Sequence, residues 1–557
     1  MIERAMIAAL FALLIGSCAA QTASIESVQQ LYDQKQWAEI VQIVPSSAAA
    51  SPDLDLYLGL ALAQLQRWRE ATVAFEDGSR KAPNEERFPV ELAGVAYRTN
   101  NLSEATRQLY RALRLNPHDP YALNFLATIY LLRGNVEAAL EYWNRIAAPK
   151  ISQVEVPQPR QSLIDRAITI PPLSVMRLSD FEMTNAQLDS LGIFAARRWE
   201  LQPDGTSNYK LVLHSIDEHG WGANKWTATL STLRGLPYET VYPEYRNARN
   251  SAINFDSLVR WDSNQRRLFA SFSAPLDDDP KWRLNGFADA RDENWNLTNT
   301  LQTTTQLSAL KLRKLEVGIE IHRIESGRWS WQTGASFSRR TFGNLIVNPL
   351  EAGSFFSSGN VIEWNAGTGY RVLSLPDKRI TIDSTGAGGV GRFFASSGAN
   401  RFERLQGSIR FHWFPRSEGD DYEMSSQWRA AALFGSVPLD ELYTLGVDRD
   451  DNDLWLRGIS TTRNGQKGNS PMGRRYVLWN WQWDKIIFHG AFFEMKAGPI
   501  FDAGDVADPS GYFGSRGWLW DPGAQLTVRV LDTVNVVFSY GHDLRSSQNT
   551  LFGAALP

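Results

Sequence analysis

From about Gly220 to the C-terminus, apolar and polar residues alternate in run after run. A period of two sends successive side chains to opposite faces of a strand. In Leu315 to His322 one face holds Leu315, Val317, Ile319 and Ile321, and the other Glu316, Gly318, Glu320 and His322. In Tyr476 to Trp483, Val477, Trp479, Trp481 and Trp483 share a face, opposite Asn480 and Gln482. Val534, Val536, Phe538 and Tyr540 form another apolar row, against Asn535, Ser539 and Gly541. Trp329, Trp331 and Phe337 line a further strand. Apolar residues facing lipid and polar ones facing a lumen is the pattern of a transmembrane β-barrel. A soluble sandwich alternates too, but its apolar faces meet in a core. The 20 Trp among 557 residues favour the barrel, whose two interfaces collect aromatic side chains. Roughly sixteen strands are expected over 220–557. They start with Trp226–Arg234 and Glu239–Arg246 and end with Val534–His542 and Thr550–Ala555. A long loop, Gly435 to Gly473, interrupts them.

The first twenty residues read as a signal peptide. Arg4 precedes an apolar core, Ala5 to Gly16, too short to span a bilayer. Cys18, the sole cysteine, ends it in Leu14-Ile15-Gly16-Ser17-Cys18-Ala19. Either Cys18 is the lipidated first residue of the mature chain, or cleavage after Ala19 or Ala20 discards it. Beyond this segment no 18-residue apolar stretch occurs, which excludes helical membrane spans. A net charge of -4 gives no reason to expect nucleic acid.

Residues 25–150 carry a repeat. Ala71, Ala105 and Ala139 are evenly spaced, and Pro83 and Pro117 share their period of 34 residues. Phe75, Leu109 and Trp143 follow the alanines by four positions. Leu58-Gly59, Leu92-Ala93 and Leu126-Ala127 precede them in phase. Small residues at these points let paired helices touch, and the proline ends the second helix. This is the tetratricopeptide period and pattern. Glu26 to Val44, with Trp37-Ala38, reads as a degenerate first unit. Such arrays bind proteins or peptides on a concave face.

Residues 151–219 form a bridge punctuated by Pro157, Pro159, Pro171 and Pro172. It predicts a strand over Leu173–Phe181, a helix over Asn185–Phe194, and strands over Arg197–Gln202 and Tyr209–Ile216 around Pro203-Asp204-Gly205. Leu191-Gly192-Ile193-Phe194 and the two strands ending at Asp217-Glu218 resemble the last part of a POTRA module, without the length for both of its helices. The overall expectation is an all-α tetratricopeptide array, a short POTRA-like α+β bridge and a C-terminal transmembrane β-barrel.

Within the loop stands Leu456-Arg457-Gly458-Ile459, preceded by Leu445-Gly446. Gly498-Pro499-Ile500-Phe501-Asp502-Ala503-Gly504 lies in a later strand. A charge at membrane depth is costly unless it points inward and finds a partner. In order and spacing these segments resemble the bacterial surface antigen superfamily of outer-membrane assembly and secretion barrels, which includes the BamA and TamA types and two-partner-secretion transporters. In that superfamily a loop folded into the lumen carries an arginine that pairs with an acidic residue of a later strand. The resemblance implies that Arg457 pairs with Asp502, with Gly504 on the same lumen strand. Gln482 stands where a second acidic residue often sits, which weakens any second pair. Ile459 replaces an aromatic, a helical repeat array replaces tandem POTRA modules, and the chain ends in Gly553-Ala554-Ala555-Leu556-Pro557 instead of a terminal aromatic.

No nucleophile elbow, phosphate loop or metal-binding box is present, and no cofactor or enzyme activity is expected. Asp277-Asp278-Asp279 and the stretch Asp448 to Asp453 read as solvated turns rather than calcium loops. The resemblance implies a barrel in the bacterial outer membrane that assembles or translocates proteins, with a periplasmic repeat array holding a client or partner. A weak seam between first and last strands would admit an incoming strand by edge pairing. The alternatives are a tetratricopeptide-barrel exporter of a polysaccharide, or a structural docking protein of the envelope.

Overall fold

The computed structural model describes residues 24–44, 51–156, 162–205, 208–297, 310–344, 353–396, 398–416, 419–449, 452–509, 511, 513–531 and 534–556. The signal segment with Cys18, and Pro157 and Pro159, lie outside them. The chain divides into two compact units between Ala148 and Pro149.

The first unit is a series of helix pairs: α1 (Ile25–Asp33) with α2 (Trp37–Ile43), α3 (Pro52–Gln64) with α4 (Trp68–Lys81), α5 (Arg87–Arg98) with α6 (Leu102–Leu115), and α7 (Pro120–Leu132) with α8 (Val136–Trp143). Ser51 and Asp119 cap α3 and α7 through their side-chain oxygens, each ahead of a proline in the first turn. Ala71, Ala105 and Ala139 are fully buried, as are Phe75 and Leu109, with Trp143 almost so. The pairing requires small residues. A Cβ on Gly59 would lie 2.4 Å from the Phe75 ring, and one on Gly78 would lie 2.2 Å from the Phe88 ring.

The second unit opens with a four-stranded sheet. β1 (Lys150–Glu155) pairs with β2 (Ser174–Val175) and, in parallel, with β4 (Asn208–Asp217), which forms a hairpin with β3 (Phe194–Asp204). Between these strands lie α9 (Ser162–Ala167) and α10 (Leu178–Leu191). Both helices of a strand–helix–helix–strand–strand module are therefore present, the first cut to under two turns. The expected strand over Leu173–Phe181 is only two residues long. The expected helix starts earlier, at Leu178, and ends at Leu191 before Gly192, whose φ of +61° suits a residue without a side chain. This module is fastened to the barrel. Glu182 accepts from Arg328 at 2.9 and 3.0 Å, and Asn254 donates to the Leu191 carbonyl at 2.9 Å.

A closed antiparallel barrel follows. Its first strand is broken into β5 (Thr240–Val241) and β6 (Glu244–Ala248) around Pro243, and both pieces pair with β7 (Ile253–Trp261). Then come β8 (Gln265–Leu276), β9 (Asp279–Trp295), β10 (Leu310–Ser326), β11 (Trp329–Gly343), β12 (Gly359–Leu375), β13 (Ile380–Ala395), β14 (Gly398–Trp413) and β15 (Tyr422–Gly435). The loop after β15 contains the short pieces β16 (Tyr443–Thr444), β17 (Thr462–Arg463), β18 (Gln466–Lys467) and β19 (Met472–Gly473). The wall resumes with β20 (Arg475–His489), β21 (Phe493–Ala507), β22 (Leu519–Val530), β23 (Val534–His542) and β24 (Asn549–Leu556). The expected first strand, Trp226–Arg234, is a helix instead, α11 (Lys225–Leu233). Asn224 caps it by accepting from Trp226 and Thr227, and Thr227 reaches back to complete the box.

Leu315, Val317, Ile319, Ile362, Trp364, Leu405, Ile409, Phe538 and Tyr540 all stand exposed on the barrel's outside. An outward apolar face on a closed barrel matches lipid, not water. Val534 departs from its expected outward row and is fully buried. No helix among the described residues is long and apolar enough to cross a membrane.

Candidate functional site: the loop across the lumen

The loop between β15 and β20 does not stay at the rim. Its apolar residues Val437, Leu439, Leu442, Leu445, Leu454, Leu456, Ile459 and Met472 join wall residues Leu312, Phe402, Leu433, Leu478 and Val506 in one buried cluster. Burying this many apolar side chains against the inner wall holds the loop inside the barrel. Gly504 leaves room for it: Leu445 lies 3.0 Å from where a Cβ would stand there.

Arg457 makes a buried charged contact with the wall. Its Nε and Nη2 donate to the two oxygens of Asp502 at 2.8 and 2.7 Å, and its backbone N–H donates to Asp502 at 2.9 Å. A fork-to-fork pair of this kind is the strongest arrangement available to arginine. Both residues are buried, Asp502 completely. The remaining Nη1 donates to Gln482 at 2.9 Å and Gln525 at 3.1 Å. Two neutral amides thus stand beside the pair and satisfy the guanidinium without adding charge. Asn480 braces the acceptor, donating to Asp502 and to the Trp455 carbonyl, each at 2.7 Å. Gly458 donates to Asp521 at 2.6 Å and its carbonyl accepts from Thr550 at 2.6 Å. Leu456 is fully buried and Ile459 nearly so. Leu456, Arg457, Gly458, Ile459, Gln482, Asp502 and Gly504 therefore gather on the inner face of β20 and β21.

Three further anchors were not singled out by sequence. Asp440 and Glu441, ahead of the motif, meet Arg340 at 2.9 Å each, and Glu441 also meets Arg404 at 2.7 Å. Arg340 is fully buried. Two adjacent acids inside the apolar run Val437 to Leu442 were the available signal. Beyond the motif, β18 pairs with β9 at Lys467 and Trp295, and the Lys467 ammonium meets Glu293 at 2.8 Å. In the closed wall β9 lies opposite the β15–β20 junction from which the loop springs, so the loop crosses the barrel from side to side. The third anchor holds the end of the chain. Arg449 donates to the Gly553 carbonyl on β24 at 2.9 Å, and its guanidinium lies over the rings of Tyr238 and Phe552 at 4.7 and 5.6 Å. The loop thus touches both the last strand and the segment entering the first.

Beside the loop is a cavity of about 770 Å³, with Arg291, Asp383, Arg410 and Arg429 on the wall and Asp448 and Asp453 on the loop. Of the acidic stretch, Asp453 is exposed as expected of a solvated turn, Asp448 is buried, and positions 450 and 451 lie outside the described residues. Asp277 and Asp278 form a left-handed turn between β8 and β9. Among the described residues no group of three His, Cys, Asp or Glu side chains is placed to hold a metal ion.

A closed barrel with an apolar exterior, a lumen bridged by an ion-paired loop and an α+β module docked at its turns defines a transmembrane barrel whose bore is occupied by its own chain. No family model and no curated protein sequence matches the chain. Solved structures similar to it include CdiB from Escherichia coli, at 14% identity over 74% of this chain and 77% of that one, TM-score 0.47. CdiB from Acinetobacter baumannii is similar at 12% identity over 83% and 86%, TM-score 0.45. BamA from Haemophilus ducreyi lacking POTRA domains 1–3 is similar at 10% identity over 73% and 84%, TM-score 0.42.

Proposed function

We propose that the protein is an outer-membrane barrel that assembles or translocates polypeptides, with its repeat array in the periplasm holding a client or partner. The observation that carries this reading is the loop. A passive pore needs an open bore, and here the bore is crossed by a segment tied to opposite walls. The same loop grips β24 through Arg449 and Thr550, and β5 and β6 opposite are short and broken at Pro243. A seam bounded by short strands leaves backbone N–H and C=O groups available for an incoming strand, which edge addition would satisfy. The Arg457–Asp502 pair acts in this reading as the pin that holds the loop while the seam is shut. The charged cavity beside the loop favours a second reading, export of a polar polymer.

The test is a photo-reactive amino acid at Leu551, an exposed side chain on β24, in living cells. Strand-rich polypeptides trapped there support protein handling. Trapping of lipid alone, with ion conductance through the purified barrel unchanged when the loop is tethered by a Cys pair at 264 and 464, sinks it. Those positions are chosen because Asn264 donates to the Asn464 carbonyl at 3.2 Å.

A further inference from the structure

The repeat array has a face whose chemistry is specific. Positions 57, 91 and 125 are one period apart, so Tyr57, Glu91 and Phe125 take the same place on α3, α5 and α7. Asp53, Arg87 and Tyr121 do so one turn earlier. That such positions are neighbours in space is shown by Arg87 and Asp53, which meet at 3.0 Å. Glu91 therefore stands between two aromatic residues. Tyr32 packs edge-on against Tyr57 with centroids 5.4 Å apart, while Tyr97 and Tyr121 pack against Phe125 at 5.5 and 6.1 Å. Tyr97 and Tyr121 remain exposed.

Two observations make this an open face with an unmet charge. Nothing lies within 4 Å of where a Cβ on Gly94 would be, so the surface beside Glu91, one turn on, is open. The Glu91 carboxylate is partly buried, and among the described residues no hydrogen bond or ion pair reaches it. Burial raises its pKa, and no neighbouring cation offsets this. Tyr32 and Tyr121 are each raised by burial first and by the Glu91 charge second, so its field reaches along the row from both sides. Arg98 and Asp119 also act on Tyr121, in opposite directions. A carboxylate held among aromatic faces without a counter-charge is the complement of one ligand class. It suits a planar or compact cation that can pair with the acid and stack on the rings.

We propose that this face binds an extended polypeptide through an arginine or lysine side chain seated on Glu91 between Tyr57 and Phe125. The proposal rests on the reading that the array holds a polypeptide. It adds that the segment recognised is basic.

The test uses the full-length protein in detergent micelles and three labelled nonapeptides of glycine and serine, with arginine, citrulline or glutamate at the centre. The arginine peptide should bind saturably, and Glu91→Gln should weaken it by about tenfold or more, the scale of a lost charge-assisted bond. Tyr57→Ala and Phe125→Ala should weaken it as well, while Glu91→Asp, which keeps the charge, should retain part of the affinity. The citrulline peptide should bind wild type about as weakly as the arginine peptide binds the Glu91→Gln variant. Equal binding of the arginine and citrulline peptides, or no effect of Glu91→Gln, overturns the proposal. A photo-reactive residue at Thr128, on the same face, separates the two levels. Polypeptide adducts in cells that persist in Glu91→Gln mean that the array holds a client by other chemistry. Absence of adducts in wild type removes both readings.

Discussion

Gly541 and Gly458 press backbone to backbone. A Cβ on Gly541 would lie 2.3 Å from the carbonyl carbon and oxygen of Arg457 and 2.5 Å from the nitrogen of Gly458. Neither glycine has a left-handed φ. What the site needs is the missing side chain, so that the motif can lie flat against β23 while Arg457 reaches Asp502.

Gly541→Ala should therefore lift the loop without touching any charged group. Overpacking of this kind costs about 1–3 kcal/mol. The expected outcome is faster proteolytic cleavage within 444–470 in the folded barrel, while heat-modifiable migration on gels is retained. Unchanged cleavage would mean that the wall yields instead of the loop.

Removing one member of the Arg457–Asp502 pair should hurt more than removing both. Arg457→Leu or Asp502→Leu leaves a buried charge without its partner, at a cost of about 3–5 kcal/mol. The double variant leaves no such charge. Urea unfolding of the three variants in detergent should rank the double above either single.

Exchanging Lys467 and Glu293 tests the far anchor. Lys467→Glu and Glu293→Lys should each free the loop tip from β9 and raise passage of large antibiotics into cells. The combined exchange should restore resistance, because the pair is rebuilt with reversed sign.

Glu91 predicts a pH signature for the array. Its pKa is raised in the folded state by burial, so the folded chain holds the proton more tightly than the unfolded one. The stability linked to it is then full at low pH. It falls as pH rises through the unfolded value of about 4.3, and levels off above the folded value. Glu91→Gln should raise the helical melting temperature at pH 7, by an amount that shrinks towards zero below pH 4. Surface-paired acids such as Glu85 shift the other way, so the difference between the two proteins is the quantity to follow.

The wall strands were legible because one face meets lipid. Ile253–Trp261 and Val534–His542 are found with the bounds expected from alternation. Trp226–Arg234 misled because its large residues also fit a short amphipathic helix, and the Asn224 cap decides for helix. The POTRA-like bridge was half legible: the β3–β4 hairpin has its own turn sequence, but β1 joins β4 across more than fifty residues, and such pairing leaves no local pattern. The site divides the same way. The Arg457 segment stood out against its Gly-rich surroundings. Arg340 and Asp521 did not, because an inward polar residue on a barrel strand is ordinary until the loop that meets it is in place.

The loop that joins the β15–β20 junction to β9 makes the barrel mechanically asymmetric. Strands resist bending along their length far more than a cylinder of them resists flattening, and a tie across the diameter removes that soft mode in one direction only. Strain applied at β24, through Arg449, is carried by the same tie to Lys467 and its partner Glu293 on β9. The two halves of the circumference therefore cannot relax independently while both ends of the tie are fastened.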